Sequence, residues 1–208
     1  MRTCSVSATG DGNVIVRSNW RRFILTRPGP LSLIIAPLMV SPSLCFALGQ
    51  SVESLYSPLT GPPCKSVMQN HETGAAKDEC VGVGGFRLFV LNDDSRASVT
   101  VVTPEGKEFP LAYWDVVTHA FSNLGAKAEW RVVHNGSKVQ PKALIVRVEY
   151  SDQSNVAAPK KKSVLSVAKI SPDVICVVKV VSGGADANVR ARAFADKAET
   201  KACLGPQP

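Results

Sequence analysis

The sequence lacks the compact motifs that mark a catalytic or metal centre. Its only histidines, His71, His119 and His134, stand far apart, and neither a His-Glu-x-x-His pair nor a Gly-x-Ser-x-Gly turn occurs. It also lacks the closely spaced cysteines that hold zinc. We therefore predict no catalytic residue, no metal ligand and no cofactor. A hydrolase assembled from distant residues is the alternative, and it would require His119 or His134 beside an acid in a shared pocket.

Long apolar sequence occurs in one place, close to the start of the chain. Four arginines between positions 17 and 27 precede the uncharged stretch Leu31–Leu48, and small residues stand at Ala47 and Gly49. This order is typical of a secretory signal that is cleaved after Ala47 or Gly49. A retained membrane anchor is the competing interpretation, because a span needs about 20 apolar residues. Pro37 and Pro42 disfavour a helix there.

The predicted leader, residues 1–49, changes what the charge of the chain implies. It contains five of the 24 basic residues and one of the 17 acidic ones, so the remainder carries 19 against 16. A balance this close to neutral gives no support to a nucleic-acid partner. Cleavage would leave no stable membrane span, and we predict a periplasmic or secreted protein.

The cysteines agree with export. Two of the six lie in the leader, which leaves the even set Cys64, Cys80, Cys176 and Cys203. An even number in an exported domain predicts two disulfides, and four cysteines allow three pairings. We favour Cys64 with Cys80 and Cys176 with Cys203, because each pair brackets one contiguous unit of sequence.

Beyond the leader the sequence divides into three parts. Residues 50–80 are rich in serine, proline, glycine and polar residues and show no apolar period, which predicts an irregular arm held by a disulfide. Residues 81–203 are predicted to form a β-rich domain that ends in a helix. Residues 204–208 are a short tail.

The β-rich part is predicted to contain about seven strands. The turn residues 92–95 favour a hairpin between the runs that start at Phe86 and end at Val101. Asn135-Gly136 predicts a type I′ turn that joins Ala128–Val133 to Val139–Tyr150. Two further strands, Val164–Ile170 and Val174–Val181, follow a polar loop over residues 151–162.

Two helices complete the prediction. A short one is expected within Tyr113–Leu124, and a clearer one within Asp186–Ala202. In the second helix Ala187, Ala191, Phe194, Ala198 and Ala202 would form a narrow face of small residues. The expected fold class is α+β and mainly β: an antiparallel sheet curled into a sandwich or an open barrel, with the C-terminal helix packed on it and two disulfides.

One cluster of residues predicts a binding surface. Glu129, Trp130 and Arg131, with Arg96 upstream, combine an aromatic side chain with charges near turns and strand ends, and Trp and Arg often anchor interfaces. The structural interpretation of the same residues places Trp130 in the core. It pairs Glu129 across strands with an arginine such as Arg87 or Arg147. Both interpretations stand at this point.

The same region carries a resemblance to a family. The patterns Cys80-x-Gly82-x-x-Gly85-Phe86-x-Leu88-x-Val90, Asp94-x-Arg96-x-Ser98-Val99 and Phe121-x-x-Leu124-Gly125-x-Lys127-x-Glu129-Trp130-Arg131 resemble a group of uncharacterised exported proteins of proteobacteria. The resemblance covers about Tyr56 to Cys203. It implies a bacterial envelope protein, and it supplies no catalytic residue.

Together these observations predict a non-catalytic periplasmic module. Its partner would be an envelope protein or a small ligand, bound with help from Arg96, Glu129, Trp130 and Arg131. The envelope-acting hydrolase described above is the alternative. Nothing in the sequence defines the oligomeric state.

Overall fold

A computed structural model describes residues 51–152 and 158–205. The predicted leader, with Cys4 and Cys45, lies outside the described residues, as do the middle of the predicted polar loop and the last three residues of the tail. Within the described part, no helix is long and apolar enough to cross a membrane.

Ten strands account for most of the described chain. They are β1 (Val52–Pro58), β2 (Cys64–Gln69), β3 (Ala76–Val81), β4 (Arg87–Asp93), β5 (Arg96–Val102), β6 (Glu108–Pro110), β7 (Ser122–Asn135), β8 (Lys138–Asp152), β9 (Lys160–Ile170) and β10 (Ile175–Ser182). The helices are α1 (Tyr113–Val116) and α2 (Ala187–Ala195), and a 3-10 turn follows at Ala198–Thr200.

The strands form one open sheet in the order β10-β9-β8-β7-β5-β4-β3-β2. β1 pairs with β7, and β6 pairs with β5, both away from this main path. All pairings are antiparallel except a single parallel bridge between Arg96 and Ser122. The predicted fold class is confirmed: the domain is mainly β, and its sheet curls without closing into a barrel.

The curl encloses the main core. Leu88, Val99 and Val101 from β4 and β5 pack in one buried cluster with side chains of the longer strands, among them Trp130 and Val146. Each of these five side chains is fully buried. Residues alternate along β7 and β8 between this inner cluster and the opposite face, as the two-residue period of a strand requires. We call that opposite side of β7, β8 and β9 the outer face.

Helix α2 covers part of the outer face. Ala187, Ala191 and Ala195 are buried against a second apolar cluster that includes Ile145 and Leu165. Small residues let the helix lie close to the sheet, as the sequence predicts. The predicted face is only partly right, because Phe194 and Ala202 are exposed and Ala195 takes the buried position. The helix also ends earlier than predicted.

The disulfide prediction is confirmed for both pairs. Cys64 and Cys80 lie directly opposite each other on β2 and β3, and they are bonded. Cys176 of β10 is bonded to Cys203, which follows the 3-10 turn. The second bond holds the chain after α2 against the sheet, and the backbone N–H of Leu204 donates to the carbonyl of Val177 at 2.7 Å.

The prediction of an irregular arm over residues 50–80 was wrong, although its disulfide is present. The segment contains β1, β2 and β3. These strands escape sequence analysis because few of their side chains are buried. β1 and β2 are edge strands, and in β2 only Cys64 is even partly covered. An edge strand is held by backbone pairing and needs no alternation of apolar and polar residues.

The predicted helix within Tyr113–Leu124 was also largely wrong. Only Tyr113–Val116 is helical, and β7 already begins at Ser122. Residues Ser122 to Leu124 pair with β8, so tertiary pairing overrides the helical spacing of the local apolar residues. In the same way the predicted polar loop 151–162 begins and ends within strands β8 and β9.

The predicted hairpin with its turn at residues 92–95 is confirmed, and the turn predicted at Asn135-Gly136 differs in detail. Asn135 pairs with Lys138, so the central residues are Gly136 and Ser137, and of these two only Gly136 has a positive φ, at 62°. That is the type II′ pattern, one residue later than the predicted type I′ turn. Type I′ backbone geometry occurs instead between β4 and β5, where both central residues of the turn have positive φ.

Candidate binding groove

The four predicted binding residues lie in three different environments. Trp130 belongs to the core: its side chain is fully buried, and its indole N–H donates to Ser57 Oγ at 2.8 Å. Its ring packs against Phe86 with 5.9 Å between centroids. Trp130 therefore has no surface to offer to a partner, as the structural interpretation expects.

Glu129 and Arg131 point to the outer face, where they hold α2. Arg131 forms two hydrogen bonds with the carboxylate of Asp196, at 2.7 and 3.0 Å. Glu129 accepts from Nε of Arg192 at 2.5 Å and from its Nη2 at 3.2 Å. Ser54 of β1 joins the two pairs, because its hydroxyl donates to Glu129 and accepts from Arg131, both at 2.5 Å. These contacts stabilise the packing of three elements and leave both residues 8% exposed.

The electrostatics of Glu129 follow from these contacts. Burial alone would raise the pKa of the Glu129 carboxyl, but the hydrogen bonds from Arg192 and Ser54 and the charges of Arg192 and Arg131 together lower it. The hydrogen bond to Glu129 in turn raises the pKa of Arg192. Glu129 is therefore a carboxylate at neutral pH, and Arg192 stays charged beside it.

The cross-strand partners expected for Glu129 were wrong. Arg87 forms an ion pair with Glu79 instead. Arg147 donates to Ser163 and Asn188 and pairs with no carboxylate among the described residues. The partner of Glu129 is Arg192, which stands 63 positions later in the chain.

Arg96 lies in a third place, at the turn end of β5. Its guanidinium stacks over the ring of Trp114 at 3.9 Å, lies 5.4 Å from the ring centre of Phe121, and pairs with Asp94 at 2.5 Å. His119 meets Trp114 edge-on at 5.0 Å. The rings of Trp114 and Phe121 are 39% and 48% exposed. Of the four predicted residues, Arg96 is the one whose guanidinium lies over exposed aromatic rings.

A concave, positively charged site lies on the outer face beside the N-terminal half of α2. We call it the cationic groove. It has a volume of about 330 Å³. Its polar lining comes from β1, β7, β8 and α2, and consists of Tyr56, Lys127, Glu129, Arg147, Asn188 and Arg192.

The local backbone of β7 makes room for this groove. The register of β7 against β8 shifts between Leu124 and Ala128. Gly125 lies inside this irregular stretch, where a Cβ atom would stand 3.0 Å from Cβ of Arg147. The absence of a side chain at Gly125 therefore lets the stem of Arg147 lie across β7, and this places the guanidinium in the groove.

Charge in the groove is unbalanced. Three cations line it against the single carboxylate of Glu129, which Arg192 already engages. Arg147 is held by neutral groups, with Nη1 2.7 Å from Ser163 Oγ and Nη2 3.2 Å from Asn188 Oδ1. The ammonium of Lys127 lies 4.5 Å from the ring centre of Tyr56, and no carboxylate in the described part of the chain pairs with it. The groove can therefore take up negative charge.

The sequence pattern predicted part of this region, and of the four predicted binding residues Glu129 lines the groove. Gly125, Lys127 and Glu129 of the Phe121–Arg131 cluster do line the groove. Arg147 was considered only as a structural partner of Glu129. Arg192 gave no local signal, because a lone arginine on a helix resembles any solvated charge.

The histidines stand apart from the groove. His134 contacts Glu53 at 2.5 Å on the exposed surface of β7 and β1, and His119 packs on Trp114. Neither residue lines the cationic groove. The cationic groove therefore lacks the histidine and acid pair that the hydrolase alternative requires.

The fold and the groove together define a β-rich, disulfide-linked domain with a cationic cleft on its outer face. Comparisons with protein-family models, with curated proteins and with solved structures find no match to this chain.

Proposed function

We propose that this protein is a non-catalytic ligand-binding module of the bacterial envelope, and that the cationic groove binds an oxyanion, the carboxylate or phosphate group of a ligand. The observation that carries the proposal is the convergence of Lys127, Arg147 and Arg192 on one concave surface with a single carboxylate among them. Clustered cations repel one another, and a bound anion relieves that repulsion.

The donors also have the right chemistry. A guanidinium presents N–H groups in a planar fork that matches carboxylate and phosphate oxygens, and such charge-assisted bonds are stronger than neutral ones. Ser163 and Asn188 orient Arg147 without neutralising it. The groove is built on paired strands and a packed helix, so little ordering is required when the ligand binds.

Export to the periplasm or the cell exterior is the second part of the proposal. Its support is the leader-like sequence over residues 1–49, the resemblance to exported proteobacterial proteins, and the two disulfides. Disulfides persist in oxidising compartments. Intact-mass measurement on protein secreted by a bacterial host tests this part: we expect cleavage near Gly49 and no free thiols, and a retained leader or four free thiols would contradict it.

Binding of simple anions tests the groove. Calorimetry with the oxidised protein should detect inorganic phosphate or acetate, more weakly as salt is added, because ions screen the attraction. Arg147→Gln should weaken binding about tenfold or more, since a hydrogen bond to a charged group contributes about 1.5–3 kcal/mol. Lys138→Gln removes an exposed charge at the far end of β8 and should change nothing. Equal loss in both variants, or no binding at all, would refute the proposal.

A further inference from the structure

A second cavity lies near the cationic groove, and Ser163 of its lining is hydrogen-bonded to Arg147 of the groove. It has a volume of about 460 Å³. Its lining includes Phe121, Asn123, Glu149 and Ser163. In the sheet Asn123 pairs with Glu149, and Glu149 pairs with Ser163, so these residues lie side by side on β7, β8 and β9. We call this cavity the polar extension.

The two cavities are neighbours by register. Arg147 and Glu149 are successive outward positions on β8, about 7 Å apart along the strand. Arg147 pairs with Leu165 of β9, and Glu149 pairs with Ser163. At the junction, Arg147 Nη1 donates to Ser163 Oγ at 2.7 Å. A ligand held by Arg147 can therefore reach along the sheet into the polar extension.

The polar extension has a chemistry of its own. The ring of Phe121 is about half exposed. Beside it stand an amide and a carboxylate, Asn123 and Glu149, both exposed. In the described part of the chain neither side chain has a hydrogen-bond or ion-pair partner. The guanidinium of Arg96 contacts both the ring of Trp114 and the ring of Phe121, at 3.9 and 5.4 Å from their centres.

We infer that the ligand is an acidic saccharide. This inference rests on the proposed function, and it names the ligand class. The C–H face of a sugar ring packs well on an aromatic ring, while its hydroxyls pair with amides and carboxylates of the kind that Asn123 and Glu149 present. The acidic group of the saccharide then binds Arg147 and Lys127 in the cationic groove. The polar extension is also lined by Lys161 and by Lys162, which pairs with Asp152 at 2.6 Å. A small inorganic anion would bind to cations of the site but would make no use of the Phe121 ring.

Three probes separate this inference from its rivals: an oligomer of galacturonic acid, the corresponding neutral galactose oligomer, and inorganic phosphate. By calorimetry the acidic oligomer should bind at least tenfold more tightly than either of the others. A nucleoside monophosphate, which also combines a ring with an anion, is the fourth probe. Tighter binding of the nucleotide than of the acidic oligomer would overturn the saccharide assignment.

Variants locate the sugar. Phe121→Ala should weaken binding of the acidic oligomer about tenfold and leave phosphate binding unchanged, and Phe121→Tyr should restore it. Phe194→Ala removes an aromatic ring of similar exposure on α2, outside both cavities, and should have no effect. Arg147→Gln should weaken both ligands.

The outcomes also distinguish this inference from the proposed function. If phosphate binds through Arg147 but Phe121→Ala does not affect the acidic oligomer, the saccharide inference is wrong and the anion site stands. If neither phosphate nor the acidic oligomer binds, the proposed function itself fails. An unchanged melting temperature of Phe121→Ala shows that its effect on binding does not come from unfolding.

Discussion

Replacing Arg131 with alanine should destabilise the fold. The Arg131 side chain is 10% exposed, and its guanidinium forms two hydrogen bonds with Asp196 at 2.7 and 3.0 Å and a third with Ser54. In a binding surface, by contrast, the loss of this arginine would lower affinity and leave stability unchanged. The measurement therefore separates a structural role from an interface role.

The size of the effect follows from the exposure of the partner. Hydrogen bonds to charged groups contribute about 1.5–3 kcal/mol each. Asp196 is 33% exposed, so water solvates its carboxylate once Arg131 is gone, and the loss stays well below that of a fully buried pair. We expect a decrease of about 2–3 kcal/mol in the free energy of unfolding, which corresponds to about 4–12 °C in Tm for a domain of this size.

Thermal unfolding followed by circular dichroism, under oxidising conditions, measures this effect. Lys197→Ala is the control, because Lys197 is exposed and adjacent to Asp196, and its side chain forms no ion pair with any described residue. Asp196→Asn, alone and combined with Arg131→Ala, should show coupling of about 0.5–3 kcal/mol. If Tm stays unchanged in Arg131→Ala, the reasoning is refuted; if that variant also loses ligand binding, Arg131 belongs to an interface.

Three further predictions concern stability. Cys203→Ser should lower the free energy of unfolding by about 3 kcal/mol, because the bond constrains 27 positions of the unfolded chain; equal Tm values under oxidising conditions would count against this. Acid should destabilise the protein, because the pKa of the Glu129 carboxyl is lower in the folded state than in the unfolded chain. The stabilisation from ionised Glu129 is complete above the usual pKa of 4.5 and is lost as the pH falls through the folded pKa. Glu129→Gln should therefore flatten this part of the curve of Tm against pH. Gly82→Ala should lower the free energy of unfolding by about 1–3 kcal/mol, because a Cβ would lie 2.7 Å from the carbonyl oxygen of Phe86 and 2.9 Å from the ring of Trp130. A denaturant midpoint equal to that of the wild type would contradict this packing.

A strand that buries one face is visible in the sequence. Along β8, Leu144, Val146 and Val148 are buried in the core and alternate with residues of the outer face, so the period of two is visible in the sequence. The disulfides were predictable because each joins residues close in sequence. The C-terminal helix was predictable from its alanines, although Ala195 and not Phe194 faces the sheet.

A strand that is defined by long-range pairing leaves no such pattern in the sequence. β1 has no apolar pattern of its own and is a strand because it pairs with β7. The first residue of β7 stands 70 positions after the first residue of β1. Ser122 joins a strand because Tyr150 lies opposite, not because of its neighbours in sequence. The candidate site also depends on residues that are far apart in the sequence. Glu129 is hydrogen-bonded to Arg192, and the side chain of Arg147 has room in the groove because Gly125 has no side chain.

The pairing of β1 with β7 has a practical consequence for shortened versions of the protein. A chain that began after Pro58 would leave the backbone of β7 from Lys127 to Val133 without its partner on that side. It would also remove Ser57, the hydrogen-bond acceptor for Trp130. Such an open, long edge is a template for intermolecular strand pairing. Aggregation of a truncated protein would therefore reflect the loss of the strand that covers β7 and not an unstable domain.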